Sequence, residues 1–193
     1  MKIGLAITGS FCTHDKIFAQ IEKMKELGYD ILPIVSHATA SLDTRFGGAK
    51  AFMKKLADLT GNSPVDSIVG AEPIGPKGLI DILAIAPCTG NTLAKVANSI
   101  TDNAVTMAAK SQMRNFKPVV MAISTNDGLG LNLANIAKLL TAKGVYFVPF
   151  GQDEPHRKPK SLIADLDLLV PAIAAAMEGK QLQPLLLQYP VEE

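Results

Sequence analysis

Two polar turns carry the residue types in this chain that are able to do chemistry. One is Ile7-Thr-Gly-Ser-Phe-Cys-Thr-His-Asp15, and the other is Ala86-Pro-Cys-Thr-Gly-Asn-Thr92. In each, an apolar strand-like run empties into a helix-like pattern, which puts short hydroxyl side chains beside the unpaired N–H donors of a helix start. In the second turn Pro87 stiffens the exit and Gly90 permits close backbone approach, while Thr89, Asn91 and Thr92 add neutral hydrogen-bonding groups. This set suits a polar ring or an anion.

The first turn argues against two common nucleotides. A dinucleotide fingerprint needs GxGxxG here and an acidic residue about twenty positions later. Instead Gly9 is followed by Ser10 and Phe11, and the next strand-like run ends in Ser36-His37. The GxxxxGK[ST] loop is also missing. A Gly-Ser turn with a hydroxyl at the end of the next strand suits a terminal phosphate monoester, and FMN carries one. Gly-Ser turns also occur in loops that bind nothing, so Gly9 and Ser10 alone leave both readings open. The cofactor reading requires the two turns to meet at one sheet edge.

The remaining polar candidates have ordinary readings beside the functional ones. His14 and His37 read as hydrogen-bonded loop residues, and Cys88 as a small buried hydrophobe. Asn126 and Asp127 follow a strand-like run, where they suit either a polar site or an Asn-Asp-Gly turn. Arg157, Lys158 and Lys160 read as a solvated charge run, although they would also attract a dianion.

The elements that must position these residues alternate between strand and helix patterns, which implies βα units and a parallel sheet. Five strands are readable: Ile3 to Thr8, Ile31 to Val35, Ile82 to Ala86, Lys117 to Ile123 and Val145 to Val148. Helical spacing predicts helices from Asp15 to Leu27, Ala49 to Leu59, Leu131 to Lys143 and Ser161 to Met177. The first should stop at Gly28 and the second at Gly61, with Pro171 kinking or dividing the last. Val65 to Gly78 reads as a Gly/Pro-rich loop, and the tail after Gly179 as non-helical.

Length and composition narrow the class. A chain of 193 residues supports one domain with a real core. Its 48% hydrophobic and 19% charged content predicts that some apolar surface is covered by self-association. A formal charge of +1 gives no field for nucleic acid. Cys12 and Cys88, the two cysteines, lie in separate turns without zinc-ligand spacing, so no metal site is expected and a reducing compartment is. The apolar opening is shorter than a signal or membrane segment requires, which predicts a cytoplasmic protein.

Thr8-Gly-Ser10, Val35-Ser-His-Ala38 and Ala86-Pro-Cys-Thr-Gly-Asn-Thr-Leu-Ala-Lys95 together resemble the flavoprotein family of FMN-binding cysteine decarboxylases and their relatives. The third segment matches the family's Pro-Ala-Ser-Ala-Asn-Thr motif at Pro87, Asn91 and Thr92. Ala97-Asn-Ser-Ile-Thr-Asp-Asn103 resembles the family's helix end and Asp-Asn pair. A closer likeness, to one member of the family, spans nearly all 193 residues and includes Met121-Ala-Ile-Ser-Thr-Asn-Asp-Gly-Leu-Gly130.

The resemblance implies a Rossmann-like three-layer α/β fold with a parallel sheet of five or six strands, as a single domain over 1–193. It also implies bound FMN, a homo-oligomer of trimers or their multiples, and oxidation of a dihydropyridine dicarboxylate. A separate partner protein would carry NAD(P). Gly9, Ser10 and Ser36 would contact the FMN phosphate. Thr89, Asn91 and Thr92 would line the flavin ring or substrate pocket, with Asn91 the catalytic candidate. Phe11, Pro87, Cys88, Ser124 and Asn126 complete the cofactor-binding set.

The family's decarboxylases also use a histidine after the second strand's helix and a Pro-x-Met-Asn motif after the fourth strand. Here no histidine lies between His37 and His156, and the second region reads Ala122-Ile-Ser-Thr-Asn-Asp127. The alternatives are an FMN-dependent decarboxylase or prenyl-flavin synthase, or a non-catalytic protein of the same fold that stabilises its partner.

Overall fold

The computed structural model describes residues 1–188, and its architecture follows from where the sequence is apolar on one face or on two. The elements run β1 (Lys2–Ile7), α1 (His14–Glu26), β2 (Asp30–Val35), α2 (His37–Ser41), α3 (Ala49–Thr60), α4 (Ile68–Ala71), β3 (Ile82–Cys88), α5 (Gly90–Ala97) and α6 (Ala104–Arg114). They continue with β4 (Val119–Thr125), α7 (Asn132–Leu140), β5 (Val145–Phe147), β6 (Phe150–Gly151), β7 (Leu162–Ala164) and α8 (Leu169–Met177).

Five strands pair in parallel in the order β2-β1-β3-β4-β5, as the apolar runs predict. All seven residues of β3 are buried, because helices cover both faces of the sheet. α1, α3 and α8 pack together on one side, while α4, α5, α6 and α7 pack on the other. The result is a three-layer α/β fold.

The sheet extends beyond the five readable strands. The end of β4 pairs antiparallel with β7 through Ser124↔Ile163 and Thr125↔Leu162, and β7 pairs antiparallel with β6. There are therefore seven strands among the described residues, and the sheet is mostly parallel. This corrects the expected helix from Ser161, whose opening residues are β7. Asp165 then closes an Asx turn, its Oδ1 accepting the Asp167 N–H at 3.0 Å, and α8 starts afterwards. Pro171 sits in the first turn of α8, where no intrahelical N–H is required, so it neither kinks nor divides the helix. The Gly/Pro-rich stretch after Val65 is also more ordered than a loop, since Ser67 caps the one-turn α4 through the Gly70 N–H.

The strand order places the ligand crevice. β1 leads to β2 on one side, whereas the strand on its other side, β3, is reached later, so the connections at the carboxyl ends of β1 and β3 diverge. Open α/β sheets bind ligands at such a reversal. The register Ala6↔Ile85 brings these two ends level, and both sequence turns leave the sheet there.

Candidate functional site

Thr8 joins the two turns. Its buried Oγ1 donates to the Pro87 carbonyl at 2.7 Å and accepts from the Thr89 N–H at 3.0 Å. One hydroxyl thereby satisfies a donor and an acceptor of the neighbouring turn and ties it to the end of β1. Ser10 reaches one strand further, with its Oγ 2.6 Å from Ser124 Oγ at the end of β4. When one hydroxyl of such a pair donates to the other, a single O–H remains free to point elsewhere.

These ends wall a hollow of about 540 Å³. Gly9, Ser10 and Phe11 form one side, Thr89 and Gly90 the floor, and Ser124, Thr125, Asn126 and Asp127 the far side. β7 closes the hollow with Leu162 and Ile163, while Ser161 Oγ lies 3.4 Å from both the Thr125 carbonyl and Asn126 Oδ1. Gly90 has a packing reason for its size, because a Cβ there would fall 2.6 Å from Thr125 Oγ1 and from Asn132 Nδ2. Gly9 has none, since its Cβ would meet nothing closer than Phe11 at 3.5 Å.

Other sequence candidates lie apart from this hollow. Pro87 and Cys88 are buried within β3, Thr92 is on the buried face of α5, and Asn91 is exposed on the first turn of that helix. Ser36 caps α2 by accepting the Thr39 N–H at 3.3 Å, and its own N–H donates to the Ile7 carbonyl at 3.0 Å. It thus stands at the same sheet edge, level with β1, but outside the wall. Asp127 does line the hollow, with Oδ2 accepting from Asn132 Nδ2 at 3.4 Å. Lys158 reaches the wall as well, paired with Asp153 at 3.4 Å and Glu154 at 3.2 Å.

Sequence reasoning missed Arg45 and Phe46, which line the hollow from a tight turn between α2 and α3. Gly47-Gly48 beside Asp43 was the available signal, since Asp43 Oδ1 caps the start of α3 through the Ala49 N–H at 2.8 Å. The donors around the hollow are mostly neutral hydroxyls, its rim is partly aromatic, and Gly9 leaves room against the first turn. That combination fits a phosphorylated planar cofactor such as FMN. Among the described residues no cluster of metal-binding side chains exists, and no helix is long and apolar enough to cross a membrane.

A second, smaller hollow of about 210 Å³ adjoins the first and shares Phe11, Cys12 and Phe46 with it. Within it His14, 8% exposed, has Nε2 3.1 Å from the Thr8 carbonyl and its ring 4.5 Å from that of Phe52. A carbonyl only accepts, so Nε2 is the protonated nitrogen. Burial lowers the His14 pKa from 6.5, outweighing the raising effects of the Thr8 carbonyl and Asp15. The folded state therefore resists a proton that the unfolded chain takes up below 6.5. Stability should be level above about pH 7.5 and fall as the pH drops through 6.5, with a slope of at most about 1.4 kcal/mol per pH unit for this one proton. Denaturant midpoints of the native chain and His14→Asn across this range check it; an equally steep decline in both would show that His14 is not the cause.

The cysteines should differ sharply. Cys12 is exposed, whereas Cys88 is buried and its thiol is pushed up to about 12 by desolvation. A chromogenic disulfide reagent at mildly alkaline pH should therefore modify Cys12 in the folded protein and Cys88 only after denaturation. Modification of Cys88 in the native state would contradict its placement.

The family model described as Flavoprotein matches residues 1–177 of this chain. The chain is 48% identical to the B subunit of dipicolinate synthase from Bacillus subtilis (strain 168) over 187 residues, covering 97% of this chain and 94% of that one. It is similar to the crystal structure of the dipicolinate synthase B subunit from Bacillus halodurans C, with a TM-score of 0.89, 46% identity, and coverage of 97% of this chain and 96% of the other. Flavin prenyltransferase UbiX of Saccharolobus solfataricus (strain ATCC 35092 / DSM 1617 / JCM 11322 / P2) is 30% identical over 137 residues, 67% of this chain and 64% of that one.

Proposed function

This chain belongs to the flavoprotein family, and we propose that it is the B subunit of a dipicolinate synthase. It acts with bound FMN and the A subunit in oxidising dihydrodipicolinate to dipicolinate (pyridine-2,6-dicarboxylate). The observation that carries the reading is the convergence of the Gly9-Ser10 turn, the Thr89-Gly90 turn and the end of β4 on one hollow. The similarity to B subunits over almost the whole chain supports the assignment of substrate and partner. Decarboxylase and prenyltransferase readings fit less well, because the similarity on that side is more distant. The setting is the cytoplasm of a sporulating bacterium's mother cell, with NAD(P) on the A subunit.

Aromatisation removes a hydride and a proton from the dihydropyridine ring, and a flavin, when bound, supplies a hydride acceptor. This chain's residues position and bind. Ser10 and the first-turn N–H groups hold the cofactor phosphate, Ser124 and Asn126 present hydrogen-bonding groups at the end of β4, and Phe11 limits water on one side. Ser36 stands beside the phosphate end at the same sheet edge, and Thr89 belongs to the ring end. Leu129, Leu131 and Leu133, all exposed, follow Asp127 in the chain and are apolar surface that contact between the copies of a trimer would cover.

The reading is tested by purifying the chain alone and together with the A subunit, recording its visible absorption and assaying dipicolinate. Flavin absorbance together with dipicolinate formation by the pair is expected. A colourless chain that takes up no added FMN yet still activates its partner would leave only a scaffolding role.

A further inference from the structure

Two basic side chains, Arg45 and Lys158, and two acidic ones, Asp127 and Asp153, line the main hollow. The two cations are in different states. Lys158 is already shared between Asp153 and Glu154. Arg45 has no carboxylate partner among the described residues; its guanidinium stands 4.8 Å from the centre of the Phe46 ring. The turn that presents it is firmly tied. Thr44 and Gly47 exchange N–H···O bonds of 3.0 Å, and Thr44 Oγ1 accepts the Phe46 N–H at 3.1 Å. Asp43 anchors its base to the start of α3.

Building on the functional reading above, we propose that Arg45 is the residue that receives a substrate carboxylate. The carboxylate is borne on a planar ring packed against Phe46 and Phe11. Three arguments favour a ring carboxylate over the cofactor's phosphate. The planar fork of a guanidinium matches a carboxylate with two parallel hydrogen bonds. The cation covers one face of the exposed Phe46 ring, so a ring acid bound by the fork meets that ring's edge and Phe11, apolar contacts that a phosphate on a flexible chain does not use. Neutral donors for the phosphate already exist at Ser10 and the first turn. Charge points the same way: without Arg45 the hollow would face a dianion with one paired lysine and two carboxylates, a net repulsive wall.

The test is binding of pyridine-2,6-dicarboxylate to the full chain by calorimetry, for the native protein, Arg45→Gln and Arg45→Lys, with FMN uptake and thermal midpoint measured on the same samples. Arg45→Gln should weaken the dicarboxylate about tenfold or more and flatten its dependence on salt. Arg45→Lys should be intermediate, because it keeps the charge but loses the fork. FMN uptake and the midpoint should stay as in the native chain. Equal dicarboxylate affinity in Arg45→Gln overturns the assignment, as does a variant that loses FMN while keeping the dicarboxylate, since its anion is then the cofactor phosphate. A native chain that binds no dicarboxylate overturns it too. A native chain that binds the dicarboxylate through Arg45, yet forms no product when its A partner is supplied, upholds this assignment and defeats the functional reading alone.

Discussion

Thr8→Val should lower stability by about 2–6 kcal/mol and weaken flavin uptake, although valine matches threonine in shape. The hydroxyl it removes is buried and does two jobs, donating to the Pro87 carbonyl and accepting from the Thr89 N–H. An isosteric methyl leaves both backbone groups without a partner at the point where β1 and β3 end. Stranding each group costs about 1–3 kcal/mol. The loss has a functional consequence, because those two hydrogen bonds set the distance between the turns that wall the hollow. Thr8→Ser keeps the hydroxyl and gives up only a methyl group, worth about 1 kcal/mol. It should therefore stay near the native chain in both denaturant midpoint and FMN affinity. If valine were as stable as serine at this position, the bridge would carry no weight and the two turns would have to be aligned by the sheet alone.

Where the sequence was legible, a single residue type had only one good solution. The unbroken apolar runs at Ile3 to Ile7 and Ile82 to Ala86 fit only strands covered on both sides, and the parallel core follows from them. Gly61 ends α3 at φ 71°, a conformation that a side chain disfavours, which is why a glycine after an apolar helical run marks that end in the sequence. β7 was not legible, because Leu162-Ile163-Ala164 is too short to show a period and the apolar spacing downstream belongs to α8. Its partner is the end of β4, far earlier in the chain, a pairing that no local pattern encodes. The site divides in the same way. Gly9, Ser10, Thr89, Ser124 and Asn126 were named from motifs at strand ends, and the structure gathers them around one hollow. Asn91 was named from the same motif but sits on the exposed side of its helix turn, since a helix start presents successive residues in different directions. Arg45 lacked any motif and entered the wall only because Asp43 and Thr44 fold the intervening segment into a tight turn.

Ser10→Asp should reduce FMN affinity by about a thousandfold while leaving riboflavin binding within a few-fold of native. Ser10 lies on the turn closest to the start of α1, where a phosphate would meet backbone N–H groups, and its Oγ is 2.6 Å from Ser124 Oγ. An aspartate there still accepts a hydrogen bond from Ser124, so the link to β4 survives. What changes is the charge facing the ligand. Two like charges about 4 Å apart in a partly shielded site repel by about 4 kcal/mol, which corresponds to roughly three decades in the dissociation constant. Riboflavin has the same ring and ribityl chain without the phosphate, so it separates charge repulsion from general damage to the hollow. Ser10→Ala sets the scale of the hydroxyl alone, at about tenfold. Fluorescence quenching titrations with both flavins give the comparison directly. An equal loss of FMN and riboflavin in Ser10→Asp would mean a distorted site, and no loss of either would place the phosphate elsewhere on the sheet edge.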